Sequence, residues 1–517
     1  MQHKFSCTLQ IKRSINQGFN FERFPLFLCS LVILLSGCNF PKLANPNQAS
    51  ASQDETPLIF EQPTQTLEAP RPIPSPTRPV YKPGELVDYT AQTGDTLPAL
   101  AARFNTSVEE IMEANPIIPQ SATTMPPGMP MKIPIYYVPF WGSAYRIIPD
   151  SLFVNGPAQV NFNTEEFVSQ YNGWLRIYQE YAGGMMRNGA DIVDYVAQNY
   201  SVSPMLLIAL LEYKSGALTQ PYLSEQDSIY PLGYRSVARK GLYQQLIWTA
   251  NTLNNGFYGW RSGDLLSIEF DDNRIEQFDP WQNAATVALH YYYNHLLTYE
   301  EYQQAISPQG LAATYQEYFG NPWEQAPDHI SGSLQQPDLS LPFLSGAPWA
   351  YTGGPHTAYG SGAPFAALDF APPSNSPGCV WSDHWVTAVA PGVVARSETG
   401  IVVLDLDGDG DERTGWNIFY LHVATDGRVP LGVQLNTGDR IGHPSCEGGT
   451  ATGTHIHIAR KYNGEWILAD SVLSFNLEGW IPKNGSKAYQ GTLTKLTTTI
   501  IARENPNAAS FIEASPK

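Results

Sequence analysis

The tetrapeptide His455-Ile456-His457-Ile458 alternates with the two-residue period of a strand, which turns His455 and His457 to one face. Val402 to Leu406 and Trp416 to His422 read as two paired strands joined by a polar turn. Upstream the rhythm is helical. Leu97 to Phe104 and Ser107 to Ala114 form two patches, the second with Ser107 as N-cap and Glu110 three residues later, and Asn115-Pro116 breaks the chain after it. Between about residues 140 and 340, amphipathic runs rich in Tyr, Trp and Leu alternate with Gly and Asn breaks, predicting an α-helical domain. Within it Ser203-Pro204 combines an N-cap with proline at the first helical position, ahead of Met205 to Glu212. Near the C-terminus, Gly491 to Ile501 reads as one Thr/Ile-rich strand followed by a frayed tail.

Two N-terminal segments have neither period. Residues 25–37 are a short apolar run behind Lys4, Lys12, Arg13 and Arg23, too short for an ordinary membrane span. Residues 39–87 are rich in Pro, Gln, Ser and Thr, a composition that stays extended and solvated and reads as a tether. At 517 residues the chain exceeds a single core and implies roughly three domains. Its formal charge of −18 argues against nucleic acid or an anionic membrane surface as a partner, since both would be repelled.

Leu35-Ser36-Gly37-Cys38 resembles a bacterial lipobox. The resemblance implies a lipoprotein signal peptide over 1–37, lipidation of Cys38, and an extracytoplasmic protein held at the cell envelope by a lipid anchor in the membrane. Cys7 and Cys29 would leave with the signal, so Cys379 and Cys446 remain, and an oxidising compartment permits them to pair. That bridge would tether the loop before the His-x-His strand to the segment after Asp369.

His356, Asp369, His422, His455 and His457 supply the ligands and proton-handling groups of a zinc hydrolase. A catalytic zinc takes three N or O ligands and leaves a fourth position for water. These residues resemble the lysostaphin-type zinc endopeptidases of bacterial cell walls, in which a His and an Asp precede a Tyr-x-His-Leu-like strand and a closing His-x-His strand. Phe419-Tyr420-Leu421-His422-Val423 is similar to the former strand. Asp369 follows His356 by thirteen positions, a wide spacing that resembles the β-lytic, staphylolysin-like branch, as does Cys446-Glu447-Gly448-Gly449. Over about 345–482 the resemblance implies a mostly antiparallel β metallopeptidase domain. It implies Zn2+ on His356, Asp369 and His457, His455 as general base, and His422 as oxyanion stabiliser or proton donor to the leaving amine. His384 and His443 have no counterpart in the family and read as surface-loop histidines.

Tyr89-Thr90-Ala91-Gln92-Thr93-Gly94-Asp95-Thr96-Leu97, with the two helical patches behind it, resembles a LysM module over 88–135. This implies a βααβ fold that binds N-acetylglucosamine polymers, with groove residues in Thr93 to Leu97 and around Asn115 to Ile118. In the helical domain, Glu212-Tyr213-Lys214-Ser215-Gly216 faintly resembles the catalytic helix of lytic transglycosylases, but Lys214 stands where their acid should be. An ammonium cannot protonate a glycosidic oxygen and then take the proton back. The domain therefore reads as a degenerate lysozyme-like fold or an unrelated helical spacer. Asp405, Asp407, Asp409 and Asp411 alternate as in a Ca2+ loop, yet Trp416 occupies the place of the closing Glu, and a long acidic hairpin turn that delivers His422 is the simpler account.

The sequence thus predicts a multidomain α+β chain. It comprises a signal peptide (1–37), a tether (38–87), LysM (88–135), a helical domain (140–340), a metallopeptidase (345–482) and a C-terminal strand and tail (483–517). The expected activity is hydrolysis of stem or cross-bridge peptides of peptidoglycan. Two alternatives stand beside it: a non-catalytic wall-binding or hydrolase-activating protein, and a glycan-cleaving enzyme centred on the helical domain.

Overall fold

The computed structural model describes residues 79–136, 141–324 and 326–516. Cys38, the signal segment and nearly all of the tether lie outside the described residues.

In the first module, β1 (Glu85–Thr90) pairs antiparallel with β2 (Pro130–Ile135) around α1 (Leu97–Phe104) and α2 (Val108–Ala114). Leu100, Phe104, Ile111 and Ile133 fill the space between them. The Ser107 hydroxyl accepts the Glu110 N–H while the Glu110 carboxylate accepts the Ser107 N–H, so two otherwise orphaned donors at the start of α2 are satisfied.

The second module contains α3 (Thr164–Ser169), α4 (Trp174–Ile177), a hairpin of β3 (Gln179–Ala182) and β4 (Met185–Asn188), then α5 (Gly189–Tyr200), α6 (Pro204–Ser215) and α7 (Glu225–Ile229). The long α8 (Leu242–Ser262) follows, with a second hairpin of β5 (Ser267–Glu269) and β6 (Ile275–Gln277), and then α9 (Ala284–Asn294), α10 (Tyr299–Ala305) and α11 (Leu311–Phe319). The two hairpins are an addition to the helical domain that periodicity predicted, because three- and four-residue strands are too short to imprint a period. Ser203 caps α6 by accepting the Leu206 N–H, and Gly216 ends it in the left-handed region at φ 68°. Leu206 to Leu211 are buried all round, so α6 is the central helix of the module. The Glu212 carboxylate accepts the N–H groups of Leu218 and Thr219 and the hydroxyls of Thr219 and Tyr318. It pins the loop after α6 and is not presented as a catalytic acid.

The third module is built on a large antiparallel sheet. Its strands are β7 (Trp349–Thr357), β8 (Phe365–Ala371), β10 (Gly392–Glu398), β11 (Gly400–Asp405), β12 (Trp416–Val423), β13 (Gln434–Leu435), β15 (Ile456–Tyr462), β16 (Glu465–Trp466) and β20 (Phe511–Ile512). They lie in the order β13-β10-β11-β12-β15-β8-β7-β20, with β16 on β15. A small pair, β9 (Val386–Thr387) and β14 (Arg440–Gly442), and a three-stranded sheet of β17 (Ile481–Asn484), β18 (Gly491–Lys495) and β19 (Thr498–Ile501) complete it. The C-terminal segment differs from expectation: 491–501 is a hairpin, and Phe511 pairs with Ala350 of β7, so this end closes the sheet edge where fraying was predicted.

Alternation divides the large sheet. Leu368, Phe370, Ile418, Tyr420, Ile456 and Ile458 pack into one core, whereas Ala367, Phe419, Leu421 and Ala459 face the other way and share a core with α5, α6, α8 and α9. Asp369 and His457, in step with Ala367 and Ala459, therefore face the side on which the helical module docks.

Candidate metal centre

β7, β8, β15 and β12 are consecutive neighbours, and each brings one polar side chain to the same place. His457 lies directly across from Asp369, and His356 pairs with Ala367 two positions before it. His356 Nε2 stands 3.2 Å from Asp369 Oδ1, His457 Nδ1 stands 3.2 Å from the same oxygen, and the two ring nitrogens are 3.0 Å apart. All three residues are buried, at 1%, 5% and 5% exposure for His356, Asp369 and His457.

The far side of each ring decides what the near side can do. His356 Nδ1 donates to the Gly354 carbonyl at 2.8 Å, and His457 Nε2 donates to the Ala358 carbonyl at 2.9 Å. A neutral imidazole has one N–H, so the inward nitrogens are both lone pairs. Asp369 Oδ1 is buried without a hydrogen-bond partner. Three acceptors thus converge with no proton among them, an arrangement that is repulsive by itself and fits a cation bound by two imidazoles and a carboxylate. Burial raises the Asp369 carboxyl, and only positive charge at His356 and His455, or a cation in its place, holds it well below the usual carboxylate range.

Two more imidazoles border this cluster. His455, just ahead of β15, donates from Nδ1 to the Gly453 carbonyl at 2.7 Å, and its Nε2 points inward 3.8 Å from Asp369 Oδ1. His422 donates from Nδ1 to the Glu447 carbonyl at 2.8 Å, and its ring centre is 4.5 Å from that of His455. Pairing of β12 with β11 skips from Leu421–Ile401 to Val423–Gly400, leaving His422 as the extra residue of a bulge, in the left-handed region at φ 69°. A bulge re-aims the side chain it carries, and strained backbone of this kind concentrates at functional sites. Burial pushes the His422 imidazole down to about 3, so the ring is neutral at physiological pH.

Cys379 and Cys446 form a disulfide. Beside it the Val380 N–H donates to Thr454 Oγ1 and the Thr454 N–H donates to the Gly378 carbonyl, so the bridge braces the segments that carry Glu447 and His455. His443 lies elsewhere and is buried where a surface-loop histidine was expected, donating to the His384 carbonyl with its ring centre 3.8 Å from that of Trp385 at a tilt of 41°. The acidic turn also departs from a Ca2+ loop. Asp405 accepts the N–H groups of Asp407, Gly408 and Gly410, and Asp411 forms a forked pair with Arg413 and does not join the other carboxylates. The turn satisfies itself, and burial and the neighbouring Asp407 lift the Asp405 carboxyl to about 7.

Sequence reasoning missed Tyr489. It lies beyond the predicted metallopeptidase boundary, and its ring stacks on His356 with centres 4.1 Å apart and planes 24° apart. Its carbonyl accepts the Gly354 N–H at 2.8 Å. A Cβ on Gly353 would stand 2.4 Å from Asp369 Oδ2, and one on Gly354 would stand 2.4 Å from the Gln490 carbonyl, so Gly353-Gly354 is needed for close approach. That glycine pair was the one available signal. The helical module also reaches the loop after His356: Asn251 and Asn255 of α8 accept the N–H groups of Ser361 and Ala363, and Tyr200 packs edge-on against Tyr359.

Comparison with known proteins places these modules. The LysM domain family matches residues 89–134, and the family described as LasA, N-terminal domain matches residues 146–331. Protease LasA of Pseudomonas aeruginosa (strain UCBPP-PA14) is 26% identical over 342 residues, covering 62% of this chain and 74% of that protein. Beta-lytic metalloendopeptidase of Achromobacter lyticus is 31% identical over 142 residues, 25% of this chain and 34% of the relative. The enzyme of the same name from Lysobacter enzymogenes is 29% identical over 130 residues, covering 25% and 71%. Among solved structures, the M23 metalloprotease pseudoalterin covers 33% of this chain and 98% of its own at 23% identity and a TM-score of 0.28.

Proposed function

We propose that this chain, which joins a LysM domain and a LasA N-terminal domain to a region similar to lysostaphin-type M23 peptidases, is a zinc endopeptidase that hydrolyses peptide bonds of peptidoglycan. The observation that carries this reading is the convergence of three proton-free acceptors, His356 Nε2, His457 Nδ1 and Asp369 Oδ1, at 3.0–3.2 Å.

Zinc held by these three residues would supply Lewis acidity, polarising the scissile carbonyl and bringing the pKa of its water to about 7. His455 is placed to act as general base, because Gly453 fixes its proton on Nδ1 and leaves the inward Nε2 free to accept one. His422 is held in the same tautomer by Glu447. The water's proton, relayed from His455 to Nε2 of this ring, would put positive charge beside the developing oxyanion and then pass to the leaving amine. Burial makes it reluctant to keep that proton, which suits a donor. The disulfide and the bulge hold both rings on rigid backbone, and the loop 359–363 that follows His356 is fastened to α8.

LysM would hold the enzyme on N-acetylglucosamine polymers of the wall, and Cys38 would carry a lipid anchor. Among the described residues no helix is long and apolar enough to cross a membrane. Digestion of purified peptidoglycan by the full chain tests the reading. New free amines, lost in His455→Ala with zinc retained, are expected. New reducing sugar ends without amines would move the activity to the glycan, and an inert, zinc-loaded chain would favour the non-catalytic alternative.

A further inference from the structure

Residues 329–334, which lead from the helical module toward the sheet, lie across the two loops that join β1 to α1 and α2 to β2. The Ile330 N–H donates to Thr93 Oγ1 at 2.9 Å, and that hydroxyl stands 3.3 Å from the Ile330 carbonyl. From the second loop, Thr124 Oγ1 donates to the Ser331 carbonyl at 2.7 Å and Thr123 Oγ1 donates to the Leu334 carbonyl at 2.7 Å. In return Ser333 donates its N–H to the Thr124 carbonyl at 2.8 Å, and Leu334 donates to Thr124 Oγ1 at 3.0 Å. Both loops therefore grip this strap through its backbone groups, the way a module grips a polymer whose polar groups repeat.

The strap is shaped for that contact. A Cβ on Gly332 would stand 2.6 Å from Pro126 Cγ and 2.7 Å from its Cα, so only glycine lets the strap lie this close. Ser333 adopts φ 50°, a left-handed turn that aims its N–H back at Thr124. Room for a ligand exists alongside. A cavity of about 340 Å3 is walled by Ile330 and Leu334 of the strap, Thr96 of the first loop, Pro98 of α1, and Trp466 and Leu468 of the sheet module. Its volume is within the range of small-ligand pockets, and strap and LysM residues line it together.

We propose that residues 329–334 are an internal ligand of the LysM module, and that a glycan chain of N-acetylated hexosamines binds the two-loop face by displacing them. This inference rests on the reading that LysM takes wall glycan. The strap links the helical and sheet modules, so its release on the wall would lengthen the connection between them. Glycan affinity in the resting chain is reduced by the fraction of molecules in which the strap is docked.

The test uses the full chain and a soluble pentamer of N-acetylglucosamine, with affinity read by calorimetry and strap docking by amide hydrogen exchange. Ser333→Pro cannot adopt φ 50° and lacks the N–H given to Thr124, and Gly332→Ala collides with Pro126; both loosen the strap while leaving every residue of LysM and of the metal centre unaltered. Both variants are expected to bind the pentamer roughly tenfold more tightly than the wild type. Pentamer binding to the wild type should also speed exchange at Ile330, Ser333 and Leu334. Equal affinity in wild type and variants, or exchange at those amides unchanged by saturating pentamer, would overturn the competition. Absence of binding in all three chains, with the strap amides protected in the wild type and exposed in Ser333→Pro, would instead refute the glycan reading of LysM, and the competition with it.

Discussion

His457 and Asp369 face each other on neighbouring strands with Nδ1 3.2 Å from Oδ1, and neither atom carries a proton to share. The Ala358 carbonyl causes this, because it takes the one N–H of the His457 ring. His356 repeats the device through Gly354, so backbone carbonyls of one short stretch, 354–358, set both tautomers. Outer partners of this kind fix ligand orientation and raise basicity.

Tyr489 should matter through stacking and not through its hydroxyl, since its ring lies flat on His356. Tyr489→Phe is expected to keep zinc affinity unchanged. Tyr489→Ala is expected to lose about 0.5–1.5 kcal/mol, or roughly two- to tenfold in zinc affinity, measured by competition with a chromogenic chelator. Equal losses in both variants would assign the effect to the hydroxyl.

Arg261 joins all three modules. Its guanidinium donates to the Thr93 carbonyl and pairs with Asp150 at 3.1 Å and Glu465 at 3.0 Å, and Glu465 also meets His329 at 2.7 Å. Arg261→Met would leave two buried carboxylates short of a counter-charge, so a loss of about 3–5 kcal/mol is expected in urea unfolding. A change below about 1 kcal/mol would show that the junction is not held by this ion cluster.

His290 is a buried acid-sensitive group. Burial pushes its imidazole down to about 3, whereas the unfolded ring titrates near 6.5. Between these values the unfolded chain binds more protons, so stability is present above pH 6.5 and is lost as pH falls toward 3. Neighbouring Glu276, raised by burial, works in the opposite sense at acid pH. Comparison with His290→Gln isolates the histidine: between pH 6.5 and 4.5 the wild type is expected to lose roughly 2–3 kcal/mol more than the variant. Parallel pH profiles would contradict the assignment.

The disulfide closes a loop between positions 67 residues apart. Constraint of an unfolded chain over that span is worth about 2–4 kcal/mol, so Cys379→Ser with Cys446→Ser should lower the denaturation midpoint accordingly. Activity should fall further than stability explains, because the bridge also steadies the Glu447 carbonyl on which His422 is hung. Unchanged activity in the folded variant would separate the bridge from the catalytic rings.

What the sequence made legible and what it hid follow from range. The His455-x-His457 alternation, the Ser107 capping box and the Ser203-Pro204 helix start are written within a few residues, and the structure contains each of them. The cluster of His356, Asp369 and His457 became legible only through resemblance, since no local rule says that residues a hundred positions apart become strand neighbours. Tyr489 reaches His356 from a turn outside the predicted boundary, and Phe511 pairs with Ala350 across most of the module. Asp411 had the spacing of a calcium ligand but finds Arg413 two residues on, a competition that spacing alone does not reveal. The bulge that turns His422 inward depends on the register of β11, set by a different part of the chain.

The most direct measurement is the zinc content of the full chain, by mass spectrometry after dialysis against metal-free buffer, for the wild type and His457→Ala. One zinc per chain in the wild type and less than about a tenth of that in the variant, with matching circular dichroism spectra, is the expected result. A wild-type chain that takes up no zinc, or a variant that binds it equally well, would contradict the metal centre and the endopeptidase built upon it.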